Sequence, residues 1–252
     1  IWPTGLMFWY PRWVIDPSAW WQYLFPAATV GLTIGLRVLS RHRRGLIAGW
    51  LIFCGTLFPV LGFFDVYPFR FSYVADHFQY LAGMGIIVPI ASGLASMADA
   101  LAPPRRHMGH AACALLVVVL GILTWRQSAM YRDAETLYRE SITRNPGAWI
   151  AYQNLGTLLV QQEGRVQEAI DAYRAALNIR PEYLQARNNL VMAHIRAASL
   201  SPETPVGIGD AIAHLQEALR IDPGSAEAHY VLGNALLSAH TPGRVPEAIT
   251  HY

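Results

Sequence analysis

The sequence predicts an all-α protein in two parts, a polytopic transmembrane helical bundle followed by an α-solenoid of short helical repeats. Three observations carry that prediction. Of the 252 residues, 53% are hydrophobic and only 14% charged, against roughly 25% charged in ordinary soluble domains. Long apolar runs crowd the first half, while a recurring set of small and large apolar residues closed by prolines fills the second. The charges divide at the same place: residues 1–125 hold 8 Arg and 4 acidic residues, for +4, and residues 126–252 hold 11 Arg and 13 acidic residues, for −2. With no Lys and a net charge of +2, no broad basic face exists, which excludes nucleic acid as a partner.

The membrane part reads as residues 1–125. Crossing the hydrocarbon core takes about 20 residues of helix, and four stretches approach that length: 20–39, 46–64, 80–98 and about 108–125. None holds an acidic residue, and Arg37 lies close enough to an end to snorkel. Pro26, Pro59 and Pro89 interrupt three spans and predict kinks rather than ends, since neighbouring membrane helices can satisfy the freed backbone groups. Residues 1–16 lack a basic region followed by an apolar core, so membrane entry depends on internal segments. Cys54 and Cys113 sit in apolar runs and read as small buried hydrophobes rather than a disulfide framework. The first residue is Ile1 and the last, Tyr252, falls inside a repeat, which reads as a piece of a longer protein.

Arg37, Arg41, Arg43 and Arg44 crowd the connection between the first two spans, and Arg105 and Arg106 lie between the last two. Two crossings separate these loops, so they share a side, and the positive-inside rule makes it cytoplasmic. The segment before Trp20, the loop 65–79 and everything after Trp125 are then extracytoplasmic. Five of the eight Trp, namely Trp2, Trp9, Trp13, Trp20 and Trp21, precede or open the first span. Such density fits an interfacial anchor, or the wall of a lipid or acceptor groove.

Polar chemistry in this part concentrates before the third span. Arg70, Tyr73, Asp76, His77, Gln79 and Tyr80 stand at its outer mouth, and helical spacing puts Tyr73, Asp76, His77 and Tyr80 on one face. Two readings stand: a site for a lipid-linked phosphate, which a guanidinium matches bidentately, or a polar cap with an internal Arg70–Asp76 pair. An Asp–His pair alone lacks the further ligands of a metal site, so neither metal nor cofactor is expected.

The solenoid reads as residues 126–252. Residues 149–183 place Tyr152, Leu155, Gly156, Leu159, Ala169, Tyr173, Ala176 and Pro181 at the signature positions of a tetratricopeptide repeat. Ala169, Ala176 and Pro181 return 42 residues later as Ala211, Ala218 and Pro223, giving a second repeat over 184–225 whose excess length reads as a linker near 198–209. A third, over 226–252, opens with His229, Leu232, Gly233 and Leu236. Residues 126–148 form a half repeat. No strong breaker other than Gly121 separates Ala111 from Asn145, so the last span is expected to run on as one helix into the repeats. Solenoids present a concave face to extended peptides, and its groove positions read as Gln153, Asn154, Thr157, Asn188, Asn189, Met192, Tyr230 and Asn234. Asn154 and Asn189 are equivalent, and an amide can bond both donor and acceptor of a peptide backbone. Each of these residues also fits a plain solvated surface. No phosphate loop, Cys/His ligand cluster or Ser/His/Asp set appears here.

The outer Ile-Trp-Pro-Thr-Gly-Leu-Met-Phe-Trp-Tyr-Pro, the stretch Phe-Ser-Tyr-Val-Ala-Asp-His-Phe-Gln-Tyr-Leu-Ala and a final span leading into repeats together resemble bacterial relatives of the transmembrane and tetratricopeptide-repeat protein O-mannosyltransferases. The resemblance covers nearly the whole chain. It implies the C-terminal part of a GT-C-like fold, in the bacterial inner membrane, that transfers a sugar, mannose in the family, from a polyprenyl-phosphate donor to an exported polypeptide. It puts the catalytic carboxylate in a first outer loop upstream of these residues, so the catalytic residue is not among them. Arg70 and His77 would assist the donor phosphate, with Tyr73, Asp76 and Tyr80 around them, and the solenoid would hold the polypeptide acceptor. The competing class is a non-enzymatic membrane scaffold whose spans only anchor the repeats.

Overall fold

The computed structural model describes residues 8–10, 16–39, 44–60, 79–239 and 245–251, and all the regular structure among them is helical. The chain divides into two compact units, residues 1–132 and 133–252.

In the first unit a 3₁₀ turn, Trp20–Tyr23, leads into α1, Leu24–Leu39, and α2 spans Arg44–Leu57. The longer α3, Gln79–Asp99, and α4, Arg105–Ser128, follow. α3 and α4 are long and apolar enough to cross a membrane, and little of α3 and none of α4 is buried within the unit. α1 and α2, with 16 and 14 residues, rise about 24 and 21 Å, short of a core about 30 Å thick. The expected prolines behave in three ways. Pro26 stands in the first turn of α1, just past the 3₁₀ turn, and α1 continues beyond it to Leu39. Pro59 falls in the 3₁₀ turn Phe58–Val60 just beyond α2 and marks an end, not a kink. Only Pro89 lies in the interior of a helix.

Pro89 also explains how α2 meets α3. It cannot bond the carbonyl of Gly85 four residues back, and that carbonyl faces Gly49. A Cβ on Gly49 would stand 2.3 Å from Gly85 O and 2.7 Å from the Pro89 ring, and one on Gly85 would stand 2.3 Å from Gly49 O. Small residues permit this close backbone approach, the usual means of helix association in lipid. Gly109 similarly admits Ala98 between α3 and α4. Trp50 donates to Thr33 Oγ1 at 2.8 Å, tying α2 to α1. Large side chains such as Phe25, Ile34, Leu51, Ile87, Val88 and Val117 point outward and are exposed. Trp20 and Trp21 are exposed too, whereas Trp9 is buried edge-on against Phe8 at 4.5 Å. Cys54 and Cys113 are free and half-buried rather than fully buried; Trp2, Trp13, Arg41 and Arg43 lie outside the described residues.

The last span does not run on into the repeats. α4 ends at Ser128, a 3₁₀ turn covers Ala129–Tyr131, and α5, Ala134–Arg144, starts afresh. Asp133 causes the restart: its extended backbone and its carboxylate, accepting from Thr136 N at 2.7 Å, cap a new N-terminus.

The second unit continues with α6, Trp149–Leu159, α7, Val166–Ile179, α8, Leu184–Leu200, α9, Pro205–Ile221, α10, Ala226–Ser238, and α11, Val245–His251. Gly164, at φ 73°, makes the left-handed turn between α6 and α7. The signature residues fill the core: Leu155, Leu159, Ala169, Ile170 and Tyr173 form one buried cluster with Leu190 and Ala193, and Ile195, Ala211, Leu215, Ala218, Leu232 and Leu236 belong to a second. The linker expected near 198–209 is not one. α8 runs through Leu200, and Thr204 caps α9 through Gly207 N at 3.1 Å with Pro205 in the first turn. The extra residues lengthen both helices, and Gly207 is required because a Cβ there would lie 2.1 Å from Pro202 O.

Candidate polypeptide-binding groove

The first helices of the repeats, α6, α8 and α10, carry the predicted groove residues. Packing between α6 and α7 positions the start of the groove. A Cβ on Gly156 would stand 2.7 Å from the Tyr173 ring, so only glycine lets the ring lie flat against α6. Buried there, Tyr173 donates to Thr157 Oγ1 at 3.3 Å, and Asn189 of α8 hydrogen-bonds the same phenol. Burial pushes the phenol pKa above its ordinary value, with the two hydrogen bonds opposing. Thr157 donates to Gln153 O at 3.0 Å. The result is a polar chain from α6 through α7 to α8.

That chain lines a cavity of ≈470 Å³ in which Thr157, Tyr173, Asn189, Met192, Arg196 and Glu227 participate. Of the eight predicted groove residues, Thr157, Asn189 and Met192 therefore share one hollow. Asn188, Tyr230 and Asn234 are exposed and Asn154 is half-exposed. Gln153 departs from the expectation: it is 1% exposed, and its Oε1 has no hydrogen-bond partner among the described residues. Asn188 and Tyr230 occupy the same repeat register yet stay exposed, so Gln153 is buried by its local neighbours and not by its register. Sequence reasoning missed Arg196 and Glu227. Arg196 lies one turn past Met192 on α8, which the same spacing rule would have found; Glu227 enters from the first turn of α10. A second hollow of ≈440 Å³ lies among α5, α6 and α7, lined by Arg139, Tyr152 and Asp171 among others, and includes no predicted groove residue.

A four-membered ion network borders this second hollow. Arg165 contacts Glu135 at 2.7 Å and Glu168 at 2.6 Å, while Arg139 contacts Glu135 at 2.9 Å and also Glu168. Hydrogen bonds from Arg165 and then Arg139 hold the Glu135 carboxyl down to about 2, and hydrogen bonds from Arg139 and Arg165 lower Glu168. These groups neutralise one another, which suits a staple between α5 and α7 rather than a ligand site.

In the first unit, Arg70, Tyr73, Asp76 and His77 lie outside the described residues, and Tyr80 stands exposed in the first turn of α3. Among the described residues, no group of three or more His, Cys, Asp or Glu is placed to hold a metal ion.

Residues 120–190 match a tetratricopeptide repeat family and residues 208–238 match a TPR repeat description. The chain is 27% identical over 173 residues to the protein O-mannosyl-transferase TMTC1 of Mus musculus, covering 65% of this chain and 18% of that protein. It is 32% identical over 160 residues to Tmtc1 of Drosophila melanogaster, covering 61% and 18%, and 30% identical over 116 residues to Tmtc2 of the same fly, covering 46% and 12%. The chain thus spans about a fifth or less of the length of these curated relatives. It carries tetratricopeptide repeats and is a distant homologue of the TMTC O-mannosyltransferases.

Proposed function

We propose that the chain is part of a bacterial membrane glycosyltransferase that moves a sugar, mannose by analogy with its relatives, from a polyprenyl-phosphate donor to an exported polypeptide held by the repeats. One observation carries the reading over a membrane-anchored scaffold. The match to mouse TMTC1 covers 65% of the chain, more than either unit contains, so it must include residues of both. Repeats alone would match many solenoids; a match that extends into the first unit as well supports tying them to a protein named for sugar transfer.

In this reading the four spans form a polytopic bundle. Outward-facing Phe25, Ile34, Leu51 and Ile87 meet lipid tails at no hydrophobic cost, and the helical run begun by Trp20–Tyr23 lengthens the first span. The arginine loops face the cytoplasm and the repeats the outside. A carboxylate outside these residues deprotonates the acceptor hydroxyl, and the leaving lipid phosphate departs toward cationic groups. Arg70 and His77, positioned by Tyr73, Asp76 and Tyr80, supply that charge. The cavity around Thr157, Asn189 and Met192, with Asn154, Asn188, Tyr230 and Asn234 on the same helices, takes the acceptor as an extended chain. Arg70→Gln in the intact protein is expected to reduce transfer by about 10²-fold, the usual effect of removing one donor to a developing anion. Unchanged transfer from folded protein would remove Arg70 from the site.

A further inference from the structure

Among the described residues, the arginines of the second unit are tied down with one exception. Arg139 and Arg165 sit in the four-membered network. Arg144, Arg174, Arg180 and Arg220 each reach a glutamate, at 3.4, 3.6, 3.0 and 2.7 Å, and Arg187 donates to Pro181 O at 3.2 Å. Arg196, exposed on α8 one turn past Met192, bonds no carboxylate and no carbonyl among the described residues. It opens instead onto the cavity of ≈470 Å³.

Glu227, exposed in the first turn of α10, lines the same cavity, and its carboxylate too has no partner among the described residues. The two charges do not pair with each other. A lone charge in water is ordinary, and either of these alone would carry nothing. Here a cation and a carboxylate enter one hollow from the first helices of consecutive repeats, and its described lining holds no third charged group. The rest is neutral: Met192 and Val160 give apolar surface, and Asn189 commits only part of its amide to the Tyr173 phenol. A few convergent polar groups on an apolar wall are what orients a ligand in a cleft of this size.

We propose that this cavity selects acceptor segments carrying one acidic and one basic side chain, the acidic one seated on Arg196 and the basic one on Glu227. The inference rests on the reading that the repeats hold an extended polypeptide. Such a chain puts side chains two or four residues apart on one face, separated by roughly 6.6 or 13 Å, so a segment laid across α8 and α10 can meet both charges at once. The Arg196 guanidinium matches a carboxylate bidentately, and Glu227 accepts from an ammonium. The remaining hydrogen-bonding capacity of the Asn189 amide takes the peptide backbone. A segment with two like charges is attracted at one position and repelled at the other, so the lining rejects as well as selects.

The test is fluorescence anisotropy of labelled Ser- and Pro-rich peptides with the whole chain in detergent, near neutral pH and at low salt. The peptides carry Glu and Lys two or four residues apart in either order, and a neutral control has Gln at both positions. One charged order is expected to bind at least about fivefold more tightly than the neutral peptide, an advantage that shrinks as salt is added. Arg196→Glu should abolish that advantage, and Arg196→Glu combined with Glu227→Arg should prefer the opposite order. Neither side chain has an internal partner to lose, so both variants should fold. Arg180→Gln, a paired arginine outside the cavity, should change nothing. A neutral peptide bound as tightly as the charged ones, or an order preference kept by the double variant, would overturn the charge selection and leave the groove reading standing. No binding of any peptide by folded protein would overturn both.

Discussion

The two units are built from the same helices by opposite rules. In the first unit the closest helix contacts are made by small residues, Gly49 against Gly85 and Gly109 against Ala98, while large apolar side chains such as Phe25, Leu51 and Val117 point away from the unit. In the repeat unit the large side chains, Leu159, Ile170, Tyr173, Leu215 and Leu236, are fully buried and the charged ones outside pair with each other. The inversion accords with the proposed setting of each unit, lipid for the first and water for the second. In water, burying a Leu contributes about 2 kcal/mol; in lipid that gain vanishes, and close backbone packing replaces it.

The most damaging test of this contrast is Leu159→Ala. A cavity at a fully buried position should cost about 2–5 kcal/mol in the unfolding of the repeats, followed by circular dichroism in detergent, with the membrane unit unaffected. The reverse change, Gly49→Ala, should act only in the membrane unit. Its Cβ would meet a backbone carbonyl at 2.3 Å, and the resulting overpacking should cost about 1–3 kcal/mol, seen as easier proteolysis between α2 and α3. Equal loss in both units from either variant would break the distinction.

Acid should act on the repeats in two separable windows. Burial first, and then the charges of Arg174 and His214, hold His194 down to about 4. The unfolded chain takes up this proton near pH 6.5 but the folded one only near pH 4, so the stability contributed by the neutral ring is complete above pH 6.5 and lost as pH falls toward 4. His194→Asn should flatten the denaturation midpoint across that range. Glu135, held at about 2, contributes stability complete above pH 4.5 and lost as pH falls from there toward 2. Glu135→Gln has the smallest expected effect, under about 1 kcal/mol at pH 7 because the network is partly exposed, and should remove part of the lower window only.

The repeats were legible because their information lies in spacing. Gly156 and Tyr173, 17 residues apart, announce one contact, and the return of Ala169, Ala176 and Pro181 as Ala211, Ala218 and Pro223 announces the next pair. Spacing gives the direction in which a side chain leaves its helix but not how deep it ends, which is why Gln153 read as groove-facing and is buried. Pro205 and Gly207 read as linker because composition does not distinguish a loop from the capped first turn of a helix. Asp133 failed in the same way, hidden between two apolar and polar runs that looked continuous. In the membrane unit hydropathy marks which segments are apolar, but all-round apolar helices carry no phase, so neither the end of α2 before Pro59 nor the Gly49–Gly85 contact could be read. The cavity was half legible: Thr157, Asn189 and Met192 follow from register, while Glu227 reaches the same cavity from α10, a three-dimensional fact.

If the repeats hold the acceptor for a membrane sugar transfer, blocking their cavity should uncouple transfer from donor consumption. The direct measurement uses the intact protein in nanodiscs with a radiolabelled polyprenyl-phosphate sugar and an exported polypeptide, following transfer and donor hydrolysis separately, with Met192→Arg in the groove cavity as the variant. Met192→Arg is expected to reduce transfer to polypeptide while hydrolysis of the donor continues at the unaltered rate. Equal loss of both, or full transfer by the variant, would contradict it.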